Sequence, residues 1–355
     1  MSVPETTAVR EAHKFDEGAL QNYLAKKLPH FTRLVSVRQF EGGQSNPTYL
    51  LETNSNRYVL RKKPPGQLLP SAHQIEREYK VISALAATNV AVPKVHILCE
   101  DADVIGTPFF VMDFVEGRVF RDPLLPGLQP SERKKIYDAL VETLANLHKV
   151  DWKAIGLNDF GKTENYVARQ IARWSKQYEA SKTEAIPAMD KVMAWLPQHI
   201  PALDETGKGT TIVHGDFRLE NTIFHATEPR ILAVLDWELS TLGHPLADLG
   251  YNCLLYHLPR IDDTFNGFGN VDLAALGIPS EKDYVQTYCE RTGRNATAEL
   301  PFFVIFALFR LAAIAQGVMH RAKQGIASSA RAEEIGKLAR IMAERAWELT
   351  GSASN

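Results

Sequence analysis

The densest run of chemistry-bearing side chains is Val213-His214-Gly215-Asp216-Phe217-Arg218-Leu219-Glu220-Asn221. Fifteen residues past Asn221 comes a second acidic stretch, Val234-Leu235-Asp236-Trp237-Glu238. A carboxylate, an amide five positions later and another carboxylate closing a short apolar run are the groups that phosphoryl transfer needs. One carboxylate accepts or orients the proton of an attacking hydroxyl. The amide oxygen and the second carboxylate can hold Mg²⁺ against phosphate oxygens, because a hard cation takes oxygen ligands. A zinc hydrolase is not expected: His214, His225 and His244 stand apart, with no HxH or HExxH pairing.

Such groups must be aimed by a rigid frame. Upstream, Leu34 to Phe40 alternates loosely and stops at the turn-rich Glu41-Gly42-Gly43-Gln44-Ser45-Asn46-Pro47. Thr48 to Glu52 reads as a second strand, Asn54-Ser55-Asn56 as a tight connection, and Arg57 to Lys62 as a third strand ending at Pro64-Pro65-Gly66. This is an antiparallel meander. A helix follows, with Ser71 placed to cap it and Ile75, Tyr79, Ile82 and Leu85 on one face. Phe109 to Met112 is a further strand, and Asp113 to Gly117 a connector.

Beyond the connector the pattern turns helical. Ile136, Leu140, Leu144 and Leu147 form one face, and Asn165 to Ala180 reads as a second helix. Thr211 to Val213 and Arg230 to Leu235 read as short strands flanking the His214 to Phe224 segment. Glu281 to Leu349 is helical with breaks near Gly293, at Pro301 and around Gly325. The expected class is α+β. Residues 1–30 read as an N-terminal extension and helix, 31–113 as a small antiparallel-sheet lobe, and 114–355 as a larger helical lobe.

Composition narrows the partners. Forty Lys and Arg against 42 Asp and Glu give a net charge of −2, so no bulk positive field invites nucleic acid. The longest apolar run, Phe302 to Phe309, is eight residues and reads as a core helix segment, short of the roughly 20 a membrane span needs. Met1 to Arg10 carries no apolar signal core. Cys99, Cys253 and Cys289 are scattered, without metal or disulfide spacing. A cytoplasmic protein with buried thiols and no membrane partner is expected.

His214-Gly215-Asp216 with Asn221, then Leu235-Asp236-Trp237-Glu238, Gly243-His244-Pro245 and Asp248, together resemble the aminoglycoside phosphotransferase family, a kinase-like branch that also includes choline and homoserine kinases. Within it, Gly42 to Tyr49, Leu60 to Gly66, and Arg169-Gln170 with Trp174 are most similar to kinase-like domains fused to, or encoded beside, acyl-CoA dehydrogenases. The resemblance runs from Phe31 to Leu349. It implies a protein-kinase-like two-lobed fold, with ATP and Mg²⁺ between the lobes.

The resemblance also implies roles. Asp216 is the catalytic base or hydroxyl-orienting carboxylate, and Asn221 and Asp236 are the Mg²⁺ ligands. Gly42, Gly43, Gln44 and Ser45 cover the phosphates, and Met112, Asp113, Phe114 and Val115 form the adenine-binding connector. Arg61 stands where many kinases carry a third-strand lysine; Lys63, on the same strand face, competes for the phosphate contact. Glu78, rather than Glu76, is the expected partner of that cation. Asp248 braces the catalytic loop, His214 props its backbone, and His148 reads as a buried, hydrogen-bonded histidine.

Arg118, Arg169, Arg173, Arg218 and Arg310 are cations that could bind an anionic acceptor, Arg218 most pointedly because it lies two residues past Asp216. Arg169, Trp174 and Arg218 are the candidate substrate contacts. Trp174 and Tyr178, four apart, are either a packing face or a pocket wall. Pro301 to Thr350 holds seven Arg or Lys against four Glu, a charge of +3. That favours an anionic hydroxylated small molecule over a polycationic antibiotic, and the resemblance points to a hydroxyacyl-CoA or hydroxy acid. A nucleotide-binding pseudokinase or scaffold beside an acyl-CoA dehydrogenase is the alternative; the presence of Asp216, Asn221 and Asp236 together argues against it. A regulated protein kinase is disfavoured by the 12 residues from Asp236 to Asp248, too few for an activation loop.

Overall fold

The computed structural model describes residues 6–41, 46–64, 74–202, 204, 207, 209–262, 265–325 and 331–353. Gly42, Gly43, Gln44, Ser45 and Ser71 lie outside the described residues. The chain divides into two compact units. The first takes Met1–Val119, Ile155–Leu157 and Asn221–Ser240; the second takes Phe120–Ala154, Asn158–Glu220 and Thr241–Asn355.

The first unit is built on a six-stranded antiparallel sheet in the order β1-β2-β3-β4-β6-β5. Its strands are β1 (Thr6–Thr7), β2 (Leu34–Phe40), β3 (Thr48–Thr53), β4 (Arg57–Lys62), β5 (Val95–Cys99) and β6 (Phe109–Asp113). Helix α1 (Glu17–Lys27) starts where Asp16 accepts the Ala19 N–H, and buries Leu20 and Leu24 completely. Those two leucines pack with Tyr49, Leu51, Tyr58, Leu60 and Val111 of the sheet. Helix α2 (Ile75–Leu85) buries Ile75, Val81, Ile82 and Leu85, and with them one charged residue, Glu78.

The second unit opens with α3 (Pro130–Lys149), α4 (Tyr166–Ser181), α5 (Pro187–Trp195) and β7 (Thr211–Val213). The chain then contributes β8 (Thr222–Phe224) and β9 (Ile231–Val234) to the first unit. It ends in the second unit with β10 (Thr241–Gly243), α6 (Leu246–Asn252), β11 (Arg260–Asp262), β12 (Phe265–Asn266), α7 (Leu273–Leu276), α8 (Glu281–Thr292), α9 (Leu300–Lys323) and α10 (Ala332–Ala353). Pro301 starts α9 instead of breaking a helix, since the first turn needs no N–H from it.

Two local expectations are corrected. Thr222–Phe224, expected as part of a loop, is a fully buried strand, because Thr, Ile and Phe in succession suit a pleated, enclosed surface. The flanking strands also do not share one ribbon: β7 pairs with β10, and β9 pairs with β8. Helix α5 carries too weak a periodicity to be foreseen.

Helix α9 is the axis of the second unit. It buries Phe302 to Phe309 along with Arg310, as the apolar run implied. By length and composition α9 could cross a membrane, but 78% of its apolar window is buried inside this unit, so packing accounts for its character. Gly250 of α6 makes the close approach possible: a Cβ there would come within 2.7 Å of the Phe303 carbonyl oxygen.

Candidate active site

In the first unit, β4 alternates its side chains. Lys62 points inward, where its ammonium lies 5.6 Å from the Phe15 ring centroid, while Arg61 and Lys63 share the other face. Arg61 is 8% exposed and Glu78 2%. Their Nε and Oε2 approach to 2.9 Å, as an ion pair whose angle is too poor for a hydrogen bond. Arg61 Nη2 also donates to Asp236 Oδ1 at 2.9 Å and meets Glu238 Oε2 at 3.3 Å. Lys63 pairs with Glu76. Arg61 is thus committed to Glu78 and to the acidic pair after β9, and Lys63 to the neighbouring acid. The only sequence signal for Glu238 is its place two residues past Asp236, which does not by itself declare an ion pair.

Three carboxylates around one guanidinium leave a local charge of about −2. Burial, and then repulsion from Asp236 and Glu238, push the Glu78 carboxyl up to about 7 against the pull of Arg61. Burial works against the Arg61 charge, but the same three carboxylates more than offset it. Such a surplus of negative charge suits a divalent cation.

Asp236 has the left-handed backbone φ of 65°, uncommon for a non-glycine residue and a frequent mark of functional positions. It is held there from both sides: the Leu235 N–H donates to the Asn221 carbonyl at 2.8 Å, and Trp237, fully buried, donates from Nε1 to the Val234 carbonyl at 2.9 Å. Asn221 and Asp236 can therefore offer two hard oxygen donors from adjacent backbone. Among the described residues no group of three or more His, Cys, Asp or Glu forms a self-sufficient metal site. A cation here would take its remaining ligands from phosphate and water, the habit of Mg²⁺.

The connector continues β6. Met112 pairs with Val59, and the Phe114 N–H donates to the Arg57 carbonyl at 3.3 Å. Asp113 Oδ1 lies 2.6 Å from His96 Nε2, and the Arg57 guanidinium lies 4.5 Å from the Phe114 ring centroid. Val115 is half-buried beyond them.

In the second unit the loop from His214 to Glu220 hangs from α6. Asp248 accepts the His214 N–H at 2.6 Å and the Gly215 N–H at 2.8 Å. Gly215 takes φ of 85°, which glycine reaches without a Cβ penalty. Burial alone would raise the Asp248 carboxyl; its hydrogen bonds and the neighbouring imidazoles hold it below the usual range. His148 sits behind it, 3.4 Å from Asp248 Oδ2 and 2.7 Å from the Tyr288 hydroxyl. His214 Nδ1 accepts the Asp216 N–H at 3.2 Å, so this histidine orders the loop backbone.

Asp216 itself is reached by Tyr251 and Arg218. The Tyr251 hydroxyl donates to Oδ1 at 2.5 Å, and Arg218 Nε lies 3.5 Å from Oδ2. Burial and the Asp216 charge push the Tyr251 hydroxyl well above its ordinary value, so it stays a donor. Tyr251 was missed by sequence reasoning; its signal is the place three residues past Asp248, on the same face of α6.

The arginines considered as acceptor contacts separate. Arg118 donates to the His225 carbonyl at 2.9 Å and the Glu228 carbonyl at 3.2 Å, and Arg169 to the Lys162 carbonyl at 2.8 Å. Arg173 lies 5.4 Å from the Trp174 ring, and Trp174 is buried on α4 with Tyr178. Arg310 donates to the Gly215 carbonyl and lies 4.8 Å from the Tyr251 ring centroid, bracing the loop from below. Arg331, Arg340 and Arg345 pair with Glu334, Glu184 and Glu348. Glu334 and Glu348 are already counted in the +3 of the C-terminal segment, so of these three pairs only Arg340 with Glu184 offsets that charge. Arg218 pairs with Glu220 at 3.0 Å, and with Arg121, Glu220 and Tyr251 it lines a largely apolar cavity of about 350 Å³.

Comparison with known proteins gives a family and a fold. The profile of the phosphotransferase enzyme family matches residues 36–276. Acyl-CoA dehydrogenase family member 10 of Mus musculus is 47% identical over 349 residues, 98% of this chain but 32% of that protein. The chain thus spans about a third of this curated relative. A crystal structure from Ralstonia eutropha, provisionally described as an aminoglycoside phosphotransferase, shares 51% identity with a TM-score of 0.86, covering 96% of this chain and 99% of that one. The streptomycin–ATP ternary complex of APH(2″)-IIa, at 16% identity and TM-score 0.56, covers 85% of this chain and 90% of its own, and shares the fold.

Proposed function

Since the chain belongs to the phosphotransferase enzyme family, we propose that it moves the γ-phosphoryl group of ATP to a hydroxyl of a small, anionic acceptor. The observation that carries this is Tyr251, whose hydroxyl grips Asp216 and whose ring lines the cavity beside it. A carboxylate oriented by a tyrosine and flanked by Arg218 can receive an acceptor hydroxyl and align it for in-line attack. The Arg61–Glu78 pair orders the nucleotide phosphates from the segment 31–113, together with Gly42, Gly43, Gln44 and Ser45. Asn221 and Asp236, in the segment 114–355, hold the cation, and Met112 to Val115 hold the adenine. When bound, Mg²⁺ would neutralise charge on the phosphate oxygens. The protein groups supply position and a preset field more than covalent chemistry.

The acceptor assigned is a hydroxyacyl-CoA or hydroxy acid. Support comes from the apolar cavity with Arg121 and Arg218 at one end, and from a relative named as an acyl-CoA dehydrogenase family member. A functional link to an acyl-CoA dehydrogenase follows from the same relation. A nucleotide-depletion assay against hydroxylated acyl thioesters, free hydroxy acids, amino alcohols and aminoglycosides tests the reading. Turnover confined to the aminoglycosides would overturn the acceptor class, and no turnover with any of them would overturn the kinase.

A further inference from the structure

The cavity at Tyr251 and Arg218 continues between α9 and α10, and there it is apolar: Leu311, Ile314 and Ala315 line it from α9, Ile335, Leu338 and Met342 from α10. The order of these residues along the groove is fixed by packing. Arg310 lies 4.8 Å from the Tyr251 ring, so Leu311 is at the Asp216 end. Gly336 packs on Met319, where a Cβ would meet the Met319 Cβ at 2.5 Å. Later on α10, Arg345 donates to the His257 carbonyl at 3.2 Å, just past α6, whose Gly250 touches Phe303 near the start of α9. Helix α10 therefore runs back along α9. Ile335 sits beside the Met319 turn, about 12 Å from Leu311 at 1.5 Å per residue.

A groove with a hydrogen-bonding end and an apolar course of that length offers water few partners. It would strand the charges of a polycation, which cost free energy when buried unpaired. It matches a flexible aliphatic chain. We propose that the groove houses the tail of the acceptor beyond its reacting hydroxyl, and that Ala315, Leu338 and Ile335 set the longest tail accepted. Ala315 is the gauge: it is buried on α9 with only a methyl group, so a larger side chain projects into the slot. Leu338 and Ile335, both half-buried, form the far rim. The polar head of the acceptor stays outside the groove, so selection acts on the tail and tolerates variation at the other end.

The placement of the hydroxyl rests on the kinase reading, but the length selection can be measured without turnover. Calorimetry with straight-chain alkanoates from butanoate to dodecanoate, on the whole protein, is the experiment. Affinity should climb about fourfold per methylene, the value of one buried CH₂, and then level off. Ala315→Phe should level off several methylenes earlier while leaving the shortest chains within about twofold. Leu338→Trp, at the half-exposed rim, should level off between the two and serves if Ala315→Phe fails to fold. Chain-length-independent affinity in the wild type, or an equal loss at every length in the variants, would overturn the proposal. Failure of every hydroxylated acid to be phosphorylated would instead refute the acceptor class proposed above, and the alkanoate series would still decide whether the groove selects by length.

Discussion

Asp216 gathers its function from neighbours of different kinds: a hydroxyl donor in Tyr251, a cation in Arg218, and its own N–H tied to His214. Asp216→Asn keeps the size and most hydrogen bonds, so the fold and MgATP affinity should persist while turnover falls at least about 100-fold, the scale of a proton-orienting group. Tyr251→Phe should cost about tenfold in turnover, because it removes the group that fixes the carboxylate but not the carboxylate. Retention of most activity in Asp216→Asn would place the chemistry elsewhere. Glu78 makes a separate prediction. Its carboxyl is pushed up to about 7 from an ordinary 4.5. Over that interval the folded protein holds a proton the unfolded chain has lost, so stability declines as pH rises from about 4.5 to about 7 and is level outside it. Glu78→Gln should lack this slope, so the difference between wild-type and variant denaturation midpoints, measured without nucleotide, should itself change over that pH interval. Identical slopes would mean that Arg61 keeps Glu78 ionised throughout.

At the scale of elements, α6 is the piece that turns a short apolar ribbon into a site. Its Asp248 clamps two consecutive loop N–H groups, its Tyr251 reaches Asp216, its Asn252 donates to the Phe217 carbonyl at 3.1 Å, and its Gly250 seats it on α9. Asp248→Asn presents one acceptor oxygen where two were used and leaves a buried N–H without a partner. The expected cost is about 1–3 kcal/mol in urea unfolding, with a fall in turnover and little change in nucleotide affinity. A variant as stable as wild type would show that the His214 and Gly215 amides find other acceptors. On the other unit, β9 and the residues after it do for Asp236 what α6 does for Asp216. The strand ends at Val234, Trp237 anchors to its carbonyl, and Asp236 is left in a left-handed backbone conformation.

Across the whole molecule, charge is local rather than global. The net charge is −2, and many C-terminal cations are matched by acids or backbone carbonyls. One unit holds a negative cluster around Arg61, and in the other Arg121, Arg218 and Glu220 line the cavity together, Arg218 pairing with Glu220 at 3.0 Å. Ligands that bind only the native state should stabilise it by mass action. MgATP at about 100 times its Kd should raise unfolding free energy by about 2.7 kcal/mol. Omitting Mg²⁺ should shrink the thermal shift, and Asp236→Ala should abolish the Mg²⁺-dependent part. An unchanged Mg²⁺ dependence in that variant would move the cation away from Asp236.

The α+β class was legible from local pattern, because a strand meander and amphipathic helices are properties of adjacent residues, and the family was legible through the resemblance of its Asp–Asn–Asp motifs to a known one. Local pattern also covers the burial of His148, which follows the leucine face of its helix, whereas the bracing role of Asp248 was implied by the family resemblance. Partners separated by long stretches of chain were not legible. Tyr251 on Asp216, Glu238 on Arg61, and Arg310 beneath Gly215 depend on how ribbons pair and helices cross, and no local periodicity encodes that. The pairing of β7 with β10, and of β8 with β9, was missed for the same reason: three-residue strands carry too little alternation to declare a partner. The sequence could count charges but not say which were already satisfied. Only the tertiary structure decided that Arg118 and Arg169 serve backbone carbonyls while Arg218 faces a cavity, since a guanidinium's role is set by the acceptors within reach of its long side chain, and folding chooses those.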